Sequence, residues 1–98
     1  MKFQIPAKVR KNAIMALELR QKFRRGGTIV GITTARRLAK GGYIAFDFVK
    51  KISQYFPRHA GDNLNQINPP SNGFIAWNLW GGSEAWSWSR GIVDRVKL

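Results

Sequence analysis

Three glycine pairs, Gly26-Gly27, Gly41-Gly42 and Gly81-Gly82, cut a helix-prone chain into pieces, and Pro57 adds a further break. Glycine costs a helix interior about 1 kcal/mol relative to alanine, and proline about 3 kcal/mol. No long helix survives these positions, so the chain must fold as short amphipathic segments that stabilise one another by packing. From Pro6 to Arg25 the sequence holds strong helix formers and no breaker, with Val9, Ala13, Ala16 and Leu17 at three- and four-residue steps. This predicts a first helix opened by Pro6 and closed by Gly26-Gly27, with Arg10, Lys11, Lys22, Arg24 and Arg25 mostly off its apolar stripe. A second helix is expected over about 31–40, capped by Thr28 or Thr33 and stopped by Gly41-Gly42. A third spans about Ala45 to Phe56, because Phe48, Val49, Ile52, Tyr55 and Phe56 repeat at helical spacing and Pro57 forbids continuation. Two such helices around a glycine turn have the outline of a helix-turn-helix unit at about 31–56.

The segment PRHAGDNLNQINPPSNG, residues 57–73, is polar and rich in turn formers and reads as an ordered loop pinned by Leu64 and Ile67. Ser71 or Asn72 caps a fourth helix through FIAWNLW, Gly81-Gly82 interrupt it, and Ser83 with Glu84 starts a last helix through AWSWSRGIVDRV. The reading is an all-α single domain over 1–98 with four or five helices and frayed ends. Its basic helical half is 1–56, its polar loop 57–73 and its Trp-rich helical half 74–98. The expected core is Leu17, Leu38, Val49, Ile52, Phe56, Ile75, Trp77, Leu79 and Trp80.

Charge divides the same way. Residues 1–51 carry thirteen of the 17 Lys and Arg against Glu18 and Asp47, whereas residues 52–98 carry four against Asp62, Glu84 and Asp94. The first part therefore stands at +11 and the second at +1 of a total of +12. Repulsion on that scale works against compactness, and a partner of opposite sign is the usual reason to keep it. An apolar content of 44% argues against disorder despite the charge. The absence of cysteine excludes disulfides, thiolate metal sites and cysteine nucleophiles. No apolar run approaches the ~20 residues of a membrane span, and MKFQIPAKVRKN has no signal-peptide apolar region, so an intracellular or virion-internal protein is expected.

The runs RRGGTIVGITTARRLAKGG at 24–42, YFPRHAGDN at 55–63 and PPSNGFIAWNLWGGSEAW at 70–86 resemble a family of small proteins of tailed bacteriophages. That family has an RGGT-x-VG segment before an Arg-rich helix, an RH-x-x-D turn and a terminal IAW-x-LWGG signature. Related segments sometimes adjoin head-maturation protease-like sequence. The resemblance covers about residues 8–90 and implies a phage setting, the cytoplasm of an infected cell or the virion interior, without supplying a chemistry. The chain departs from the pattern at Thr34-Ala35-Arg36-Arg37, where the family has Arg-x-Arg, and at Gly82-Ser83-Glu84-Ala85, where it has Gly-Asp-Ala-Gly.

Arg24, Arg25, Arg36, Arg37, Lys40, Lys50 and Lys51 form the candidate binding set, a cationic face able to clamp a phosphate backbone. On this reading Arg36, Arg37, Lys50 and Lys51 share one face, with Ser53 and Gln54 beside the lysines. So few base-reading groups favour binding of nucleic acid, DNA more than RNA, with little sequence specificity. The alternative is an acidic protein partner of host or virion, which calls for an exposed apolar patch centred on Phe46 or Trp88. A solvated cationic face is the third reading. Trp77, Trp80, Trp86 and Trp88 interleave with Ile75, Leu79, Ile92 and Val93 among few charges and read as core rather than as base-stacking platforms, Trp88 beside Arg90 being the one that a surface position would suit. Gly26-Gly27-Thr28-Ile29-Val30-Gly31 lacks the Lys-Ser/Thr of a Walker loop and a preceding strand, so it reads as a helix stop followed by a cap; an anion at the following helix start remains compatible with it. His59, the single histidine, sits with Arg58 and Asp62; it reads as a loop held by a His–Asp or Arg–Asp bond. Catalysis would require it in a concave pocket with an oriented partner. No enzyme, cofactor, metal or membrane role is expected.

Overall fold

The computed structural model describes residues 1–96, in the order β1 (Lys2–Gln4), α1 (Ala7–Phe23), α2 (Ile29–Ala39), β2 (Tyr43–Ala45), α3 (Phe46–His59), α4 (Asn72–Leu79) and α5 (Gly82–Val96). The architecture is all-α apart from the pair of three-residue strands, and the Trp-rich half is described as far as residue 96. Its Cα radius of gyration of 12.7 Å is that of one folded unit of this length.

Local chemistry sets the helix ends, at places shifted from the sequence reading. α1 stops at Arg24, which takes the left-handed conformation (φ 53°) and donates its backbone N–H to the Arg20 carbonyl at 2.8 Å. The cap is therefore Arg24 rather than a glycine. Gly26 and Gly27, with φ of 95° and 76°, instead let the α1–α2 connection lie directly on α4. A side chain at Gly26 would stand 2.7 Å from Ile75, and one at Gly27 would collide with Leu79. Thr28 caps α2 by accepting from the Gly31 N–H (3.2 Å), so that helix begins earlier than the expected residue 31. Ser71 caps α4 through the Phe74 N–H (3.0 Å). Pro57 does not end α3, which continues to His59. There it forfeits the N–H bond that a helix makes four residues back, and the helix runs only two residues past it. The polar loop is shortened accordingly; Leu64 packs on the core while Ile67 is 62% exposed.

Two further expectations are overturned. The N-terminus is not frayed: β1 pairs antiparallel with β2, matching Phe3 to Ile44, and the Ile5 N–H donates to the Gly42 carbonyl at 2.8 Å. The extended β2 residues also separate α2 from α3, and these helices do not pack on each other. There is consequently no helix-turn-helix unit at 31–56. α2 lies on α1 and α4, and α3 lies on α5.

α4 is the hub. It is mostly apolar, with Ile75, Trp77 and Leu79 buried, and it touches α1, α2, α3 and α5. Ile75 and Leu79 are wholly buried, as are Leu38, Val49, Ile52 and Phe56, and Trp77 and Trp80 are nearly so. Leu17, expected inside, is half-buried against this core. Phe56 meets the Trp77 ring edge-on at 4.8 Å and stacks with Trp86 at 5.8 Å, joining α3, α4 and α5. Asn12 is the polar member of the buried α1 face. Its amide donates to the Gly81 carbonyl (2.8 Å) and to Glu84 Oε1 (2.7 Å), tying α1 to the turn between α4 and α5. A side chain at Gly82 would run into this amide.

Asn12→Ala leaves the buried Gly81 carbonyl without its partner, and the expected cost is about 1–3 kcal/mol of unfolding free energy. Urea denaturation followed by circular dichroism measures it. A loss below about 0.5 kcal/mol, the range of an ordinary surface substitution, would show that this tie does not hold the turn.

Candidate functional site

α3 presents Lys51, Gln54, Tyr55, Arg58 and His59 along one stripe, at successive steps of three and one residues that keep side chains on the same helix face. All five line a hollow of about 370 Å³. Gly27 and Thr28, at the start of α2, and Ala76 and Trp80 of α4 form the opposite side. A second hollow of about 300 Å³ shares Gly27, Thr28, His59 and Ala76 with the first and adds Asp62 and Asn72. The two are lobes of one groove with His59 at their junction. One lobe carries the cations Lys51 and Arg58, the other a carboxylate and an amide. Residues from three separate stretches of sequence, 24–42, 55–63 and 70–86, therefore meet here, although they lie far apart in the chain.

A column of rings forms the wall of the groove. Trp80 stacks on Tyr55 with centroids 4.6 Å apart and planes 9° from parallel, and Tyr55 stacks on His59 at 4.3 Å and 16°. His59 Nδ1 and Asp62 Oδ2 lie 3.0 Å apart, which fixes the imidazole at the outer end of the column. Their side chains are 41% and 42% exposed. This is the His–Asp loop contact expected from sequence. The histidine also meets the two geometric conditions set for catalysis, a concave setting and an oriented partner; its other ring nitrogen has no hydrogen-bond partner among the described residues. Among those residues no group of three or more His, Asp or Glu side chains is arranged to hold a metal ion. The Tyr55 hydroxyl is buried without a partner. Burial, and secondarily the negative charge of Asp62, push its pKa above the ordinary phenol value, so it stays protonated throughout the physiological range.

The predicted cationic set divides into two groups. Arg25 Nη2 donates to the Pro70 carbonyl (2.8 Å), and Arg37 donates through both terminal nitrogens to the carbonyls of Gly41 (2.8 Å) and Tyr43 (2.6 Å). These two arginines brace loops. Arg24, Arg36, Lys40, Lys50 and Lys51 are exposed. Of the four expected to share a face, Lys51 lines the groove and Arg37 is turned onto backbone carbonyls. Arg36 and Lys50 project from helices that do not touch. Arg58, left out of the predicted set, lines the groove beside Lys51; its spacing of seven residues from Lys51, two helical turns, was the available signal. Among the described residues the His59–Asp62 contact is the single side-chain pair of opposite formal charge type, and no Lys or Arg side chain is paired with a carboxylate. Phe46 and Trp88 are half-buried against the core rather than exposed; the exposed apolar side chains include Ile29 at 83% and Val30 at 47%, in the first turn of α2. No helix among the described residues is long and apolar enough to cross a membrane. Compared with protein-family models, curated proteins and solved structures, the chain matches none.

Tyr55→Phe keeps the ring column and removes the unpartnered hydroxyl. Unfolding free energy is expected to hold or to rise by up to about 1 kcal/mol, since a buried polar group without a partner works against the fold. Thermal and urea denaturation test this, and a loss above 1 kcal/mol would mean that the hydroxyl is hydrogen-bonded in solution.

Proposed function

We propose that this domain binds nucleic acid without catalysis, through its cationic surface and with little sequence specificity. The observation that carries this reading is the unpaired state of the cations. A chain at +12 in which no described Lys or Arg is neutralised by a carboxylate presents its charge to the outside. Each phosphate contacted by such a side chain releases condensed counterions, giving affinity that depends on salt rather than on base sequence. The residues proposed to carry it are Arg24, Arg36, Lys40, Lys50 and Lys51, with Arg58 added from the groove; Arg25 and Arg37 contribute charge from fixed, loop-bracing positions. DNA is the preferred ligand on this proposal. The proposed setting is an infected cell or the interior of a virion, a reading supported by the resemblance to tailed-phage proteins.

The second reading is a module that docks on an acidic protein of host or virion. Ile29 and Val30 favour it, because two exposed aliphatic side chains in the first turn of α2 offer an apolar contact beside the cationic surface.

Arg36→Glu combined with Lys50→Glu changes two exposed side chains and is expected to leave the fold intact while abolishing binding of labelled DNA in fluorescence anisotropy at low salt. Removing one phosphate-contacting cation, as in Lys51→Ala, should reduce the slope of log affinity against log salt by about 1. A folded charge-reversed protein that binds with unchanged affinity would overturn the assignment of these residues, and a wild-type protein that binds no nucleic acid at low salt would overturn the function.

A further inference from the structure

We infer that the groove around His59 is a subsite for one nucleoside phosphate unit, with the phosphate in the lobe of Lys51 and Arg58 and the base against the His59 ring. The inference rests on the nucleic-acid reading above and adds to it a place and a ligand chemistry. Three independent features of the groove converge on it.

The first is the division of polarity. Lys51 and Arg58 stand on one side of His59, and Asp62 and Asn72 on the other. A phosphate suits the first lobe. A nucleobase suits the second, because exocyclic amines donate to carboxylate and amide oxygens while ring nitrogens accept from an amide. The second feature is the ring column. Tyr55 covers one face of His59 at 4.3 Å, yet the histidine side chain is 41% exposed, so its open area lies on the opposite face and the edge. A planar base placed there extends the Trp80, Tyr55, His59 stack by one member, and base stacking on aromatic side chains tolerates any base. The third is size. Each lobe, at about 370 and 300 Å³, falls within the range of small-ligand sites, about 300–1,000 Å³. An acidic peptide would use the cations but has no need of a ring face beside a carboxylate, which is why the groove favours a nucleotide unit over the protein partner.

Such a unit can come from a single strand or from a free nucleotide, and the test separates these sources. Binding of a labelled deoxyadenosine single strand is measured by fluorescence anisotropy at low salt, and binding of deoxyadenosine 5′-monophosphate by amide chemical shifts. The proteins compared are wild type, His59→Ala, His59→Phe, Arg58→Ala and the Arg36→Glu, Lys50→Glu pair, each checked for folding by circular dichroism. His59→Ala is expected to weaken strand binding about 5- to 150-fold, the loss of one stacked base. His59→Phe, which keeps a ring face but not the bond to Asp62, should stay within about threefold of wild type. Arg58→Ala should weaken binding and lower the salt slope by about 1. Monophosphate shifts at Gly27, Thr28 and His59 with no tighter binding by the strand would support the subsite and assign it to the free nucleotide. Equal losses in His59→Ala and His59→Phe would overturn it, because the histidine would then act only by holding its loop. Strand binding that the charge-reversed pair abolishes and His59→Ala leaves unchanged would overturn the subsite and leave the proposed function standing. A wild type that binds neither single- nor double-stranded DNA at low salt and shows no monophosphate shifts would overturn both.

Discussion

The structure depends on α4, an eight-residue helix whose Ile75, Trp77, Asn78 and Leu79 are all buried. Buried residues at successive positions, 77 to 79, point to different sides of a helix, so their burial cannot be met from one side and the other helices must enclose it. α1 and α2 cover it from the basic half of the chain, and α3 and α5 from the other sides. Fully burying side chains such as Ile75 and Leu79 contributes about 1.5–3 kcal/mol each. The same demand for enclosure explains the glycines. Gly26 and Gly27 bring the backbone of the α1–α2 connection against Ile75 and Leu79, which sets that connection at the groove's edge. Packing thus places the start of α2 opposite α3, and the groove is the space left between them.

Electrostatics works within this frame in two ways. Several arginines act as local braces: Arg10 on the Ala39 carbonyl, Arg20 on Gly26, Arg25 on Pro70 and Arg37 on Gly41 and Tyr43. Guanidinium groups suit this role, since they donate in several directions and stay charged at any physiological pH. Among the described residues the remaining cations have no carboxylate partners, and with five carboxylate side chains against 17 Lys and Arg in the chain most of them cannot be neutralised internally. Their mutual repulsion is a cost that the core must offset, and a polyanion would relieve it. A count of Lys and Arg alone merges these two populations.

The helices were legible because their signals are local. Thr28 and Ser71 cap as their side-chain chemistry requires, the His59–Asp62 contact spans three residues, and the apolar spacing named most of the core. What was not legible depends on partners distant in sequence. Lys2–Gln4 and Tyr43–Ala45 are each too short to show an alternating pattern, and each is a strand only because the other is present. Their pairing also removes the contact between α2 and α3 that a helix-turn-helix outline requires. Pro57 misled because a proline weakens a helix without fixing the residue at which it stops, and α3 runs two residues past it. Trp80 was assigned correctly to the core, yet one of its faces meets Tyr55 at the groove wall, so core and site roles coincide in one side chain. The groove itself, built from the α1–α2 connection, α3, α4 and the loop after α3, has no local signature.

The outer end of the ring column is where stability and function separate. Trp80 and Phe56 are buried and need no explanation beyond packing. His59 is different: its side chain and that of Asp62 are both about four-tenths exposed, and a contact so open to water contributes at most about 1 kcal/mol to stability. Fixing an imidazole in one orientation also costs side-chain entropy. Little net stabilisation therefore comes from holding this ring parallel to Tyr55 at the mouth of a groove, while a ligand gains directly from a planar face that is already oriented. The unpartnered Tyr55 hydroxyl points the same way, since an apolar ring would stack equally well between Trp80 and His59 without leaving a buried donor unsatisfied. The column is thus better matched to presenting a surface than to strengthening the core, which is the role the proposal gives it.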